Sequence, residues 1–145
     1  MRLLDSSACH DLLILDIAIR VFRSEGFSTA KECAQYLRDG TLGLYAVEFK
    51  GQLVGCVFLS LGDGRVWLRG LYVDPEYRRR GIGTWLAAVA CQRVCLVGHD
   101  FVYVLPPNKK MAEFFTRTGL FWGHSEDKAL KGFSQYRVPS LDVKF

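Results

Sequence analysis

The spacing of apolar residues in the first forty positions predicts two α-helices. Apolar residues recur every three to four positions at 8–22 and again at 29–38, and the pair Asp39-Gly40 is typical of a helix end. Residues 1–5 form a candidate first strand. One apolar stripe of the first helix is formed by Leu12, Leu15, Ile19 and Phe22. Its other face is also apolar, which favours coverage on two sides.

After position 41 the pattern changes to short β-rich runs. Two of them, at 42–49 and 52–61, are joined by Lys50-Gly51, a pair typical of a tight hairpin turn. A third run, at 66–73, follows a turn with two glycines at 62–64. These three runs are predicted to be consecutive antiparallel strands.

The second half of the chain alternates helical and β patterns. Helices are predicted at 81–94 and 109–118, and strands at 101–106 and 133–141. A strand, a helix and a further strand favour a right-handed crossover, which makes the strand at 101–106 parallel to the one before the helix. The sequence therefore predicts one α/β domain over residues 1–145, with a mixed, mostly antiparallel central sheet and helices on both faces.

Composition restricts the classes of function. Half of the 145 residues are hydrophobic and the net charge is +4, so the chain can fill a core and is only mildly basic. The five cysteines include no C-x-x-C pair and no histidine at metal-site spacing, which favours buried thiols in a reducing cytosol and no metal centre. Polar residues such as Asp5, His10 and Asp11 interrupt the N-terminal apolar run, so we expect neither a signal peptide nor a membrane span, and a cytoplasmic protein.

The segment from Tyr72 to Ala90 carries the clearest chemistry. A strand end, an Asp74-Pro75 turn and three arginines precede Gly81 and Gly83, and a helix follows. A helix start offers free N–H groups and a positive dipole end, and glycine lets a ligand approach the backbone, so a phosphate-bearing ligand is predicted. A solvated arginine turn or a nucleic-acid contact is the competing interpretation, which the glycine spacing disfavours.

Two known phosphate-binding motifs are excluded. The dinucleotide fingerprint requires a third glycine where Leu86 stands, and no Gly-Lys-Ser/Thr tripeptide exists to form a P-loop.

The remaining motif, Arg78-Arg79-Arg80-Gly81-Ile82-Gly83, resembles the acetyl-CoA motif of the GNAT acetyltransferase superfamily. The preceding run at 71–78 and the later Asn108, Phe114-Phe115 and Gly119-Leu120 also fit that family. The resemblance covers about residues 42–120 and implies the GNAT fold, with a splay between the fourth and fifth strands.

This resemblance implies a set of cofactor-binding residues for acetyl-CoA as co-substrate. The set is Leu71, Tyr72, Val73, Arg78, Arg79, Arg80, Gly81, Ile82, Gly83, Thr84, Asn108 and Phe115. Backbone N–H groups at 79–84 would hold the pyrophosphate, the strand edge at 71–73 would pair with the pantetheine amides, and Asn108 would contact the cofactor arm. The N–H of Tyr72 or Val73 would polarise the thioester carbonyl.

The sequence departs from the family at the groups that move protons. Many members carry a tyrosine at the second aromatic position, whose hydroxyl protonates the leaving thiolate, and here that residue is Phe115. Some members carry a carboxylate on the fourth strand, and the run at 65–73 contains none. Tyr103 and His124 are the substitute catalytic candidates, in addition to the backbone N–H of Tyr72. Packing is the common role of a tyrosine in a sheet, and a surface position is common for a histidine such as His124.

Two functions of different classes follow. The leading hypothesis is an N-acetyltransferase that moves an acetyl or short acyl group from acetyl-CoA to an amine by direct attack in a ternary complex. The alternative is a weak or inactive acyl-CoA-binding module that regulates a protein partner. The acceptor (a small amine, a protein N-terminus, a lysine or an aminoacyl-tRNA) stays open, and so does oligomeric state, a homodimer included. Nucleic-acid and membrane partners are not expected.

Overall fold

The computed structural model describes residues 1–104, 109–117, 122–125 and 134–137, the last two segments as backbone only. Its elements are, in order, β1 (Arg2–Asp5), α1 (Asp11–Glu25), α2 (Ala30–Asp39), β2 (Gly43–Phe49), β3 (Gln52–Gly62), β4 (Arg65–Val73), a 3₁₀ turn (Pro75–Tyr77), α3 (Ile82–Leu96), β5 (Phe101–Val104), α4 (Lys109–Arg117), β6 (Trp122–Ser125) and β7 (Ser134–Arg137). The strands form one sheet in the order β1-β2-β3-β4-β5-β7-β6.

The sheet is mixed, as the sequence predicts. Strands β4 and β5 are parallel, and every other neighbouring pair is antiparallel. The two hairpins that connect β2, β3 and β4 turn at Lys50-Gly51 and Asp63-Gly64, where all four residues have positive φ. Such turns match the twist of the flanking strands, which explains why short glycine-containing pairs fix this part of the topology.

Helices cover both faces of the sheet, which confirms the predicted layers. On one face α1 and α2 pack over an apolar cluster that includes Ile17, Leu37 and Phe58. On the other face α3 and α4 contribute residues such as Leu86 and Phe115 to a second cluster. None of the helices in the described part of the chain is long and apolar enough to span a membrane.

Only one of the two apolar faces of α1 is buried among the described residues. Leu12 and Ile19 are 76% and 60% exposed, and Leu15 is also exposed. The buried face is instead formed by Leu13, Ile14, Ile17, Ala18 and Val21. Both faces of α1 are apolar, so residue spacing could not select one, and among the described residues only one face is covered. The helix begins after its N-cap residue His10, whose Nδ1 accepts a hydrogen bond from Leu13 N at 3.1 Å.

Sequence patterns identified the other elements with small shifts at their ends. Helix α2 begins after Thr29, whose hydroxyl accepts from Glu32 N at 3.1 Å, and ends at Asp39. Helix α3 extends to Leu96, two residues beyond the prediction. Strand β6 was not predicted, since its sequence Trp-Gly-His-Ser has no alternation of apolar and polar residues. Residue 118, the predicted end of α4, lies outside the described residues, and so do residues 105–106, 133 and 138–141 of the two predicted strands.

Candidate functional site

The parallel strands β4 and β5 pair along only a short stretch. Their registered partners are Trp67↔Tyr103 and Leu68↔Val104. Within the described residues, the part of β4 from Arg69 to Val73 has no partner on the β5 side. We call this segment the open edge. Residues 105–108, which follow β5, lie outside the described structure, so the splay between the fourth and fifth strands stays a prediction.

A bulge in β4 lies at the beginning of the open edge. The register pairs Phe58 with Arg69 and Cys56 with Tyr72, so Gly70 and Leu71 lie opposite one β3 residue. Gly70 has φ +63°, and a Cβ added there would lie 2.6 Å from Phe58 Cε1. Only glycine is therefore compatible with both the backbone conformation and the adjacent buried ring.

The bulge reverses the alternation of side chains along β4. Before it, Val66 and Leu68 belong to the cluster under α3. After it, Leu71 and Val73 pack on that same cluster, and Tyr72 packs on the cluster under α1. The Tyr72 hydroxyl accepts a hydrogen bond from Arg20 Nη1 of α1 at 2.9 Å.

Backbone hydrogen bonds show which donors face the open edge. Asp74 N donates to Val54 O of β3 at 2.7 Å. Because alternate residues of an antiparallel strand face the same neighbour, the N–H of Tyr72 also faces β3 and that of Val73 faces away from it. The carbonyl of Val73, which accepts from Arg78 Nε at 3.0 Å, agrees with this orientation. Of the two predicted carbonyl-polarising donors, Val73 is the one whose N–H lies on the open edge.

The open edge leads through a tight turn into the start of α3. Asp74 Oδ1 accepts from Glu76 N at 3.0 Å and fixes the 3₁₀ turn. The chain then passes through positive φ at Arg79 (+64°) and Gly81 (+81°) before the helix begins. Gly81 is the N-cap of α3, and no side chain caps the helix among the described residues. The first N–H groups of α3 are therefore available to an anion.

The space next to the α3 start is open, and three exposed arginines precede it in the chain. A Cβ added at Gly81 would meet nothing within 4 Å. The side chains of Arg78, Arg79 and Arg80 are exposed, and the Arg80 guanidinium lies 5.3 Å from the centroid of the Tyr77 ring. Backbone donors, a helix dipole and guanidinium groups together form an arrangement that suits a phosphate or pyrophosphate.

Gly83, the second glycine of the motif, serves packing rather than a special backbone conformation. A Cβ added at Gly83 would lie 3.4 Å from Phe114 Cζ of α4 and 3.6 Å from Val73 Cγ2. Gly83 thus permits close approach between α3, α4 and the end of β4. Its neighbours Ile82 and Thr84 are buried and half-buried in the first turn of α3.

Phe115 is a core residue in this structure. Its side chain is 2% exposed, and its ring centroid lies 5.4 Å from that of Phe114 in an edge-to-face arrangement. The ring carries no hydroxyl, so it supplies no proton. Asn108, predicted to contact the cofactor arm, lies outside the described residues.

The two remaining catalytic candidates differ in how far they are described. The Tyr103 ring lies 5.4 Å from the Trp67 ring between centroids, one residue before the last registered pair of β4 and β5, Leu68↔Val104. The Arg65 guanidinium lies 5.5 Å from the Tyr103 centroid. His124 lies in β6 with its Cα opposite that of Tyr136, and its side chain is outside the described structure.

A carboxylate that sequence analysis did not identify lies at the bulge. Glu25, the last residue of α1, accepts a hydrogen bond from Gly70 N to its Oε1 at 3.1 Å. Its Oε2 lies 3.6 Å from Arg69 Nη1, and the side chain is 15% exposed. Burial raises the pKa of Glu25, while the Arg69 charge and the Gly70 hydrogen bond act in the opposite direction. No sequence signal indicates this contact, because it joins residues 45 positions apart.

The thiols are poor candidates for covalent chemistry. All five cysteines are in the described part of the chain, and none forms a disulfide. Burial raises the pKa of Cys9 and Cys33 to about 11 and that of Cys56 and Cys91 to about 12. The pKa of Cys95 is also raised by desolvation. Thiols with such pKa values are not thiolates at neutral pH. The described residues also contain no group of three or more His, Cys, Asp or Glu side chains that could hold a metal ion.

Comparisons with solved structures agree with the fold. An aminoglycoside 6'-N-acetyltransferase complexed with coenzyme A aligns at TM-score 0.69 and 15% identity, over 94% of each chain. An N-acetylglutamate synthase from Neisseria gonorrhoeae, complexed with coenzyme A and N-acetylglutamate, aligns at TM-score 0.72 and 15% identity over 96% of this chain and 36% of its own. A predicted acetyltransferase from Clostridium acetobutylicum, solved with acetyl-CoA, aligns at TM-score 0.66 and 18% identity over 90% and 92%.

Sequence comparison leads to the same family. No curated protein sequence matches the chain significantly. The family described as Acetyltransferase (GNAT) matches residues 12–120, which include all of α1 except Asp11, the open edge, the arginine-glycine turn and α4. The chain therefore belongs to the GNAT acetyltransferase family.

Proposed function

We propose that this protein transfers an acetyl or short acyl group from acetyl-CoA to an amine. The observation that carries the proposal is the uncapped, glycine-initiated start of α3 at the end of the open edge of β4. One element offers donors for a pyrophosphate and the other offers donors and acceptors for amides, in the order in which these groups occur along CoA. Three-dimensional relatives solved with coenzyme A or acetyl-CoA support this assignment.

The residues of the site divide the binding work between them. The N–H groups from Arg79 to Thr84 would hold the pyrophosphate, because they lie at the positive end of α3. The backbone of Leu71 and Val73 would pair with the pantetheine amides. The N–H of Val73 would polarise the thioester carbonyl, and such a pre-oriented donor favours the charge that develops on the oxygen.

Direct attack by the amine is the mechanism that fits the side chains. The raised pKa values of the cysteines argue against an acyl-enzyme. Phe115 offers no proton to the departing sulfur, but a thiol of pKa about 8–9 leaves acceptably as the thiolate. Holding both substrates in a reactive orientation is then the main contribution of the protein. Tyr103 and His124 are retained as candidates for donating a proton.

Steady-state thiol release tests the transfer function. With acetyl-CoA and a panel of small amines, amino acids and short peptides, we expect thiol release that increases with the concentration of at least one amine. Mass spectrometry of the protein after incubation with acetyl-CoA alone should show an unmodified chain. An accumulated protein adduct of one acetyl group on a cysteine would contradict direct attack.

A second candidate function is supported by the same departure from the family. Phe115 is buried and has no hydroxyl, as expected for a domain that binds acyl-CoA without rapid turnover and regulates a partner. Saturable CoA binding without thiol release for any amine in the panel would favour this binding module over the transferase.

A further inference from the structure

The carboxylate that β4 lacks in sequence is present in space. Strand β4 has no aspartate or glutamate between Arg65 and Val73. Glu25 reaches the same strand from the end of α1 and bonds to Gly70 N at 3.1 Å. The contact depends on the bulge, since it uses the N–H of the bulged glycine, which is thereby not satisfied by β3.

We propose that Glu25 is the general base of the transfer, the group that takes a proton from the acceptor ammonium. This inference rests on the proposed function. It assigns the general base and implies that the acceptor amine binds on the side of the sheet where Glu25 lies. Glu25 accepts from the N–H of Gly70, the residue immediately before Leu71 in the open edge. The carboxylate therefore lies near the N-terminal end of the open edge, whereas the α3 start follows its C-terminal end.

The surroundings of Glu25 suit a base that must meet a substrate. Its side chain is 15% exposed, which shields the charge from bulk water and still leaves access for a small cation. In the part of the chain that the structure describes, the charged and titratable groups that interact with Glu25 are Arg69 of β4 and the Cys33 thiol of α2, whose own pKa the Glu25 charge helps to raise. Arg69 lies at 3.6 Å, beyond hydrogen-bond distance, so it moderates the pKa of Glu25 without occupying the carboxylate by a hydrogen bond.

The proton balance requires such a group. An acceptor amine is mostly ammonium at neutral pH, and ammonium has no lone pair for attack. Glu25 takes one proton, the neutral amine forms the C–N bond, and the C–S bond breaks with release of the CoA thiolate. The new amide loses its second proton to that thiolate, which becomes the thiol. Glu25 then returns its proton to solvent, so each turnover releases one proton.

A purely structural role for Glu25 predicts a different response to mutation. Folding raises the pKa of Glu25, so the folded state holds the proton more tightly than the unfolded chain does. The ionised carboxylate therefore lowers the free energy of unfolding as pH rises through this range. In Glu25→Gln an amide oxygen still faces Gly70 N and the charge is gone. We expect the Tm of Glu25→Gln at pH 7 to be unchanged or higher than that of the wild type. If Glu25 served only to stabilise the bulge, the Tm of the variant would be lower.

The pH dependence of transfer tests the proposal directly. In the wild type, kcat/KM for the amine should reach a plateau well below the pKa of the amine, with an acidic limb set by Glu25. In Glu25→Gln the rate at pH 7 should fall about 10²–10⁴-fold, and the rate should rise with pH until the amine itself is deprotonated. The Kd for CoA should stay within about twofold of the wild-type value, because Glu25 lies outside the phosphate site.

Two further variants make the result specific. Glu32→Gln removes the same charge from an exposed position of α2 and should leave rate and pH profile unchanged. Arg69→Gln removes the cation that lowers the pKa of Glu25, so it should move the acidic limb to higher pH. This second variant decides the matter if Glu25→Gln does not fold, since an unmoved limb would overturn the proposal.

The outcomes separate this proposal from the function on which it rests. Wild-type transfer with an unaltered Glu25→Gln variant would overturn the role of Glu25 and leave the transferase intact. A wild type that binds CoA and releases no thiol with any amine would overturn the transfer function, and the general base with it.

Discussion

Replacing Gly81 by glutamate is expected to raise the Kd for CoA at least about 100-fold, because two unfavourable effects combine at one position. Gly81 has φ +81°, a conformation that L side chains rarely adopt. The new side chain would also place a carboxylate in the open space next to the α3 start, where we expect the pyrophosphate. Calorimetric titration of CoA into the variant measures the change.

Gly64→Glu is the matched control for this experiment. Gly64 also has positive φ, +72°, and also has nothing within 4 Å of an added Cβ. It lies in the β3–β4 turn, at the end of the sheet opposite to the α3 start. The control should carry similar backbone strain and the same charge change with CoA affinity within about twofold of wild type. Equal affinities in Gly81→Glu and wild type would show that the phosphate site is elsewhere.

The second large effect is expected on stability, from Gly70→Ala. An alanine Cβ at this position would lie 2.6 Å from Phe58 Cε1 and 3.1 Å from Val21 Cγ1. Phe58 is fully buried, so its ring cannot move into solvent. The left-handed backbone costs about 1–2 kcal/mol, and overpacking of the core adds about 1–3 kcal/mol. We expect a loss of about 2–5 kcal/mol in the free energy of unfolding, measured by urea denaturation.

Gly64→Ala again provides the comparison. It has the same class of backbone conformation without a neighbouring atom, so it should lose only the conformational part, about 1–2 kcal/mol. The difference between the two variants then measures the contact with Phe58 and Val21. A Gly70→Ala protein as stable as Gly64→Ala would mean that the bulge relaxes freely, and that Gly70 does not hold a fixed position for Glu25.

Local sequence signals predicted much of the fold and the glycine at the start of α3. Hairpin turns at Lys50-Gly51 and Asp63-Gly64 depend on backbone conformations that few residues adopt, so they can be identified from a few letters. The same is true of the glycine that begins α3. In each case the chemistry is contained within a few consecutive residues.

Tertiary features could not be predicted in this way. The buried face of α1 could not be selected from sequence because both of its faces are apolar, and only packing on the sheet distinguishes them. The side of the sheet that Tyr72 faces depends on one extra residue at Gly70, which the alternating pattern of β4 does not reveal. Glu25 was not identified because its contact with Gly70 exists only in the folded chain.

The missing β4 carboxylate shows how these limits affect function. From sequence, the absence of an acidic residue in β4 and the presence of Phe115 were the observations behind the alternative hypothesis, a weak enzyme or a binding module. In the structure, a carboxylate from α1 lies against the strand at the bulge. Phe115 remains a departure from the usual tyrosine and still supports a binding module. The carboxylate at the bulge supports a transferase instead.

The central claim is that the start of α3 and the open edge of β4 together bind an acyl-CoA. Calorimetric titration of CoA and of acetyl-CoA into the wild-type protein tests it most directly. The account predicts saturable binding of both ligands at one site per chain, weakened by added pyrophosphate as a competitor. An absence of binding for both ligands in a folded sample, or binding that pyrophosphate does not affect, would contradict it.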